Sequence, residues 1–160
     1  MTIILQPFTQ NHAIQIASWS LSANETKAWA GHNATFPLPP TQFERWHEEP
    51  GTHPFIAHQN NHPVAYGQLW VDLEEQDIEL ARIIVHPLHR GIGIGRQFVT
   101  ALVHQATTYG LKNIFIRVLP NNDPAIRCYQ SSGFVRVSKE EEEHHNQGQP
   151  NPYVWLKFNA

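Results

Sequence analysis

The chain is poor in cysteine, with a single one, and poor in cationic side chains, with 11 Lys and Arg against 14 Asp and Glu. A lone Cys128 excludes an internal disulfide. The cations are spread thinly and form no basic run, so nucleic acid is not an expected partner. Apolar runs are short, and none approaches the roughly 18 residues that a membrane-crossing helix requires. The first residues do not combine a basic stretch, an apolar stretch and a small-residue cleavage site, so the expected location is cytoplasmic, off the membrane. Histidines are numerous, 11 in all, yet no cysteine cluster accompanies them. Pro87 breaks the helix that would align His86 with His89, and neither that pair nor His144-His145 is expected to hold a metal.

What is present suffices for one core. A length of 160 residues at 41% hydrophobic content is too short for two ordinary domains, so one domain over residues 1–160 is expected. Residues 3–5 predict a strand, and Thr9 predicts the N-cap of a helix with Ile14, Ala17 and Trp19 on one face. Residues 23–50 are irregular, except that Thr41-Gln42-Phe43-Glu44 has the form of a capping box and predicts a short helix through Trp46. Strands over 55–58 and 63–71 flank Asn60-Asn61, where Asn tolerates a positive φ, and a third strand over 78–85 completes a meander.

A helix over 96–109 carries Phe98, Leu102, Ala106 and Tyr109 three or four apart, with Gly110 just past its end. A strand over 114–118 follows, then a short helix with Asp123 as N-cap and Pro124 at its first position, ending at Gly133. Strands over 134–137 and 153–158 are expected to flank an exposed, mobile acidic loop over 140–151.

Between the third strand and the long helix runs Arg90-Gly91-Ile92-Gly93-Ile94-Gly95, followed by Arg96. Residues without a Cβ let backbone N–H groups approach a ligand, and a helix start adds unpaired donors and partial positive charge, so a diphosphate fits this loop. Arg90 and Arg96 would add full charges. The spacing is not G-x-G-x-x-G, and no Gly-Lys-Ser or Gly-Lys-Thr is present for a nucleotide P-loop.

Two blocks carry a resemblance. Glu79 to Pro87 leading into the glycine loop is similar to the acetyl-CoA motif of the GNAT acetyltransferase superfamily, whose R/Q-x-x-G-x-G/A pattern is met by Arg90, Gly93 and Gly95. Asn122 to Phe134 resembles the same family's N-x-x-A-x-x-x-Y-x-x-x-G-F segment, in the same order along the chain. The resemblance is close over residues 78–137 and extends to the flanking strands in layout only. It implies a mixed α/β fold with flanking helices, a mostly antiparallel central sheet, and a splayed parallel pair, here 78–85 and 114–118. It implies acetyl-CoA as co-substrate, with the backbone of Ile83, Ile84 and Val85 pairing to the pantetheine arm and the Val85 amide polarising the thioester.

The implied reaction is direct attack of a primary amine of a small molecule or peptide on acetyl-CoA within a ternary complex. Alternatives are an acyl-CoA sensor without turnover, or a transferase for a longer acyl chain. A free amine with a pKa of about 10.4 must lose a proton before it attacks, so a base or a water relay is needed. Glu79 lies six residues before Val85 on the same strand, and alternation predicts one face for Glu79, Ala81, Ile83 and Val85. It is either that base or the partner of an arginine such as Arg82 or Arg117. His86 is a weaker candidate.

Tyr129 matches the family's proton donor to the departing thiolate, or packs in the core. Asn122 orients the cofactor or caps the turn. Cys128 reads as a packing residue. Acidic residues at Glu44, Glu48 and Glu49, at 72–79 and at 140–143 are placed to frame an entrance that would draw a cationic amine. Trp19, Trp29, Phe36 and Trp46 either line an acceptor pocket or form core. A monomer or a homodimer is expected.

Overall fold

The computed structural model describes residues 2–159. Its centre is a seven-stranded sheet built from β1 (Ile4–Pro7), β2 (Thr52–Gln59), β3 (His62–Asp72), β4 (Asp77–Val85), β5 (Asn113–Val118), β6 (Phe134–Arg136) and β7 (Val154–Phe158), in the spatial order β1-β2-β3-β4-β5-β7-β6. Among the described residues only the β4–β5 pair runs parallel. The meander turns at Asn60 and Asn61 with φ of 51° and 64°, the left-handed conformation that a tight hairpin demands and Asn accepts. Among the described residues no helix is long and apolar enough to cross a membrane.

Among the described residues six α-helices complete the fold: α1 (Ala13–Ala17), α2 (Ala23–Ala30), α3 (Gln42–Glu48), α4 (Ile94–Thr107), α5 (Asp123–Ser131) and α6 (Lys139–Asn146). On one side of the sheet α4 packs through Phe98, Leu102 and Val99 against Leu69, Ile78 and Leu80. Each fully buried side chain of this size contributes about 1.5–3 kcal/mol. On the other side α1, α2 and α3 enclose Ile16, Trp19, Phe43, Trp46, Ile56, Tyr66 and Ile84.

The helices depart from the sequence expectations where tertiary or capping details intervene. The first opens as a 3-10 turn, Gln10–His12, which rotates the following residues; Ala13, Ile16 and Ala17 are buried while Ile14 is 75% exposed. Thr9 caps no backbone group there, since its hydroxyl bonds His12 Nδ1 at 2.9 Å. The irregular stretch contains α2, started by Ser22, whose hydroxyl accepts from the Glu25 amide at 3.0 Å. Helix α3 forms where expected, yet Thr41 makes no side-chain cap; the Gln42 and Phe43 amides instead bond the carbonyls of Pro39 and Pro40. The cap of α5 is Asn122 rather than Asp123, with Oδ1 accepting from the Ala125 amide at 3.4 Å.

The expected mobile acidic loop is largely helical. Ser138 accepts from the Glu141 amide to start α6, and three acidic residues sit in its positive first turn. Arg136 grips Glu142 at 2.7 and 3.1 Å, Glu142 accepts from the Trp155 amide at 3.1 Å, and Asn146 accepts from the Trp155 indole at 2.8 Å.

The decisive feature lies in β4. Tyr66 pairs with Ile84 and Gln68 with Ala81, so Gly67 alone faces both Arg82 and Ile83, and Arg82 takes a φ of 50°. This β-bulge inserts one residue and reverses the alternation. Ile83 and Val85 therefore pack with the α4 core and Ile84 with the α1–α3 core. Glu79 does not share a face with Ile83 and Val85, contrary to the expectation from uninterrupted alternation. Opposite the bulge, a Cβ on Gly67 would stand 2.9 Å from Phe98, 3.1 Å from Ile83 and 3.2 Å from Leu102. Gly67→Ala is expected to push α4 off the sheet at a cost of about 1–2 kcal/mol, read as a lowered denaturation midpoint.

Candidate active site

Pairing between β4 and β5 runs from Asp77–Asn113 to Leu80–Ile116 and stops. Beyond it β4 stays with β3 as far as Val85, and β5 stays with β7 as far as Val118. Each strand follows its antiparallel neighbour, and the sheet opens between them. A cleft of about 1070 Å³ runs through the opening, with the glycine loop and α5 on one side of the sheet and α2, Trp46 and Trp70 on the other.

On the loop side, Gly91 and Gly93 adopt φ of 76° and 91°, and nothing lies within 4 Å of where their Cβ atoms would be. Backbone conformation, not crowding, requires glycine here. Gly93 is the N-cap of α4 and supplies no side chain to its first N–H groups. Gly95 lies inside the helix, within ordinary contact distance of Cys128 and Val85. The helix begins at Ile94, two residues earlier than expected, and Ile94 is buried in the core while Ile92 is 65% exposed. The other predicted site residues, Glu79, Ile83, Ile84, Val85, Arg90, Gly91, Gly93, Gly95, Arg96, Asn122 and Tyr129, all line the cleft.

Arg90 is already engaged. Its Nε donates to the Val85 carbonyl at 2.9 Å, and its Nη2 donates to the Trp19 carbonyl at 3.1 Å and to Glu25 at 2.7 Å. Arg96 and Arg127 both line the cleft, and among the described residues neither has a hydrogen bond or ion pair. Arg127 was not singled out in the sequence, although it stands inside the second motif block.

Tyr129 is half-buried, and burial, aided by neighbouring Cys128, pushes its phenol well above the ordinary range. It stays protonated at neutral pH, and among the described residues its hydroxyl has no hydrogen-bond partner. Burial raises the Cys128 thiol too, against the pull of Arg96, so Cys128 is a neutral packing group rather than a nucleophile. His86 does not line the cleft. Its Nδ1 accepts from the Leu88 amide at 3.0 Å and holds the turn, and burial, with His89 and Arg90 nearby, lowers its pKa.

On the other side of the sheet, Glu79 is bound by Arg117 through both oxygens, at 2.7 and 2.8 Å, and Arg117 also donates to Gln149 at 3.0 Å. Burial opposes the charge on Arg117, but the Glu79 hydrogen bond and charge outweigh it and raise its pKa. Its guanidinium lies 4.6 Å from the Trp155 ring and 5.5 Å from Trp70 and Tyr153. Arg82 occupies the same wall against Trp46 and Trp70.

Behind that wall a buried polar chain links Arg82 to α3. The Gln68 side chain accepts from Arg82 and from Trp70, and donates to Tyr66; the Tyr66 hydroxyl in turn meets His47 Nε2 at 2.9 Å. Trp29 and Trp46 line the cleft, whereas Trp19 and Phe36 do not. Of the expected acidic rim, Glu49, Asp72, Asp77 and Glu79 border a smaller hollow of about 390 Å³, and of these only Glu79 reaches the cleft.

The fold is shared with solved structures along nearly the whole chain. It is similar to AAC(6')-Ib in complex with ribostamycin and coenzyme A, at a TM-score of 0.78 and 20% identity, covering 100% of this chain and 94% of that one. It is also similar to spermidine N-acetyltransferase from Vibrio cholerae in complex with CoA and spermine, at 0.71 and 16%, covering 98% and 93%. The model of the acetyltransferase (GNAT) family matches residues 16–134, and the chain belongs to that family.

Among curated relatives, mycothiol acetyltransferase of Thermomonospora curvata is 29% identical over 98 residues, 61% of this chain and 32% of the relative. Spermine/spermidine N(1)-acetyltransferase of Bacillus subtilis is 33% identical over 69 residues, 42% of this chain and 40% of the relative. The matches thus span about a third to two-fifths of the length of these relatives.

Proposed function

We propose that the chain is an N-acetyltransferase that holds acetyl-CoA in the cleft and passes the acetyl group to a primary amine by direct attack in a ternary complex. The observation that carries this reading is the opening between β4 and β5, which joins the glycine loop on one side of the sheet to the tryptophan-lined half on the other. The diphosphate sits on the amides at the start of α4, with Arg96 and Arg127 as the available cations. The pantetheine arm runs along the edge of β4 that β5 has left, where main-chain groups receive it as an added strand.

The amine nitrogen forms its bond to the thioester carbon as the carbon–sulfur bond breaks. The nitrogen's proton leaves through water toward Glu79, whose oxygens are both held by Arg117, so Glu79 acts through that water rather than in direct contact. Tyr129, neutral and with no hydrogen-bond partner for its hydroxyl among the described residues, donates to the departing sulfur. Titrating acetyl-CoA against a panel of primary amines and following free thiol tests the reading; binding without thiol release would leave a cofactor-binding protein and no enzyme. Tyr129→Phe is expected to lower kcat by on the order of 10-fold or more while CoA affinity changes far less. An unaltered kcat would return Tyr129 to a packing role beside Phe134.

A further inference from the structure

Arg82 lines the cleft and has no task in the chemistry above. Arg82 stands on the β4 bulge with a φ of 50°, a left-handed backbone that a residue with a Cβ holds only where the surroundings impose it. The bulge turns Arg82 toward the α1–α3 side of the sheet and into the cleft. Its guanidinium carbon lies 4.5 Å from the Trp46 ring and 4.9 Å from the Trp70 ring, and its side chain is only 16% exposed.

Stacking against indoles leaves the in-plane N–H edge as the polar surface. Along that edge Nε donates to the Ala30 carbonyl at a long 3.4 Å, and Nη1 donates to Gln68 at 3.2 Å. Glu49 approaches Nη1 only to 3.7 Å, from a side chain that is 52% exposed. Nη2 has no partner among the described residues. Of the other charges, Glu79 is bound by Arg117 and Glu25 by Arg90, and Lys27 of α2 adds a further cation to the lining. Both carboxylates that line the cleft are therefore committed, and a second ammonium would meet guanidinium groups.

We propose that Arg82 is a carboxylate subsite, so that the acceptor is an amine bearing a carboxylate a few bonds from its nucleophilic nitrogen, as in an amino acid, and not a polycation. The inference rests on the acyl-transfer reading of the cleft and adds the chemical class of the acceptor. Arg82 lies two residues beyond Leu80, where the β4–β5 pairing ends. A carboxylate on its edge is thereby held beside the gap through which the thioester reaches the acceptor. A slot walled by indole faces admits a planar anion more readily than a tetrahedral one, and a fork with one unpartnered nitrogen is matched to a carboxylate. Burial lowers the pKa of Arg82 even with Glu49 nearby, in keeping with a cation whose counter-charge is incomplete.

The test compares acetyl-CoA turnover with the protein amino acids, their carboxamides and their decarboxylated amines. Free carboxylates are expected to lead in kcat/KM by on the order of 30-fold or more over the matching carboxamides. Arg82→Gln should bring that ratio toward one. Arg82→Lys, which keeps the charge and loses the planar fork, should fall between. CoA stabilisation of each variant reports an intact fold, and if Arg82→Gln loses it, Arg82→Lys and the unmutated protein decide.

A ratio near one in the unmutated protein, or a ratio that neither variant changes, overturns the proposal. Calorimetry of the same compounds on CoA-loaded protein separates the two readings. If no amine is turned over but free carboxylates bind and Arg82→Lys weakens them, the subsite stands and the transferase reading fails. If carboxylates bind no better than carboxamides, or nothing binds, the subsite fails.

Discussion

Gly93→Val is expected to leave a folded protein that coenzyme A no longer protects against heat, with affinity reduced by on the order of 100-fold. Gly93 holds a φ of 91° as the residue before α4, where a β-branched side chain is strained by its own backbone. The open space around it would accommodate the valine, so the fold need not fail. What must change is the direction of the N–H groups at the helix start, because relief of the strain rotates the peptide planes that face the cleft. Gly95→Ala is the matched control. Its Cβ would meet Cys128 and Val85 at an ordinary 3.7 Å, and its φ is not left-handed, so its effect is expected to be much smaller. Equal protection of Gly93→Val and the unmutated protein by coenzyme A would show that the loop does not carry the diphosphate.

Acidification is expected to weaken the fold through His47 well before most carboxylates are protonated. Burial, reinforced by the charge of Arg82, lowers its pKa from 6.5 to about 4. The hydrogen-bond chain is compatible with that direction: the Tyr66 hydroxyl accepts from Gln68 and meets His47 Nε2 at 2.9 Å, and in the tautomer that leaves Nε2 unprotonated the hydroxyl donates to it, a bond that an imidazolium could not accept. The unfolded chain takes up this proton below about pH 6.5 and the folded chain only near pH 4, so stability is intact above pH 6.5 and declines as the pH falls through that window. The full displacement corresponds to about 3 kcal/mol, and partial exposure of the ring reduces it to about 2.

His47→Gln, which retains an acceptor for Tyr66 and cannot titrate, should flatten melting temperature against pH between 6.5 and 4. A residual slope is expected from His58 and His86, whose pKa values burial also lowers. A variant as acid-sensitive as the unmutated protein would remove His47 from the account.

The order of strands around Asn60-Asn61, the long helix after the glycines and the parallel pair were legible because each rests on a local signal: turn residues, apolar period, or motif. The helix α6 had such a signal in Ser138 and Glu141 and was masked by the Gly and Pro residues that follow it. Helix α2 had Ser22 and Glu25 and was masked by aromatic irregularity downstream. The bulge had none. Glu79 to Val85 reads as an unbroken strand, an arginine with a positive φ leaves no trace in sequence, and the one hint, Gly67, lies on the neighbouring strand. Glu79 could be assigned a strand but not a partner, since the choice of Arg117 over Arg82 depends on the parallel register and on which face the bulge turns Arg82 toward.

Arg90 has one guanidinium and, as folded, three claims on it: the last carbonyl of β4, the carbonyl of Trp19 and the carboxylate at the start of α2. It is a latch across the two halves of the molecule. Its guanidinium is spent on fastening the end of β4 to the segment before α2 and to α2 itself, so the architecture, rather than a bound anion, is what Arg90 serves as folded.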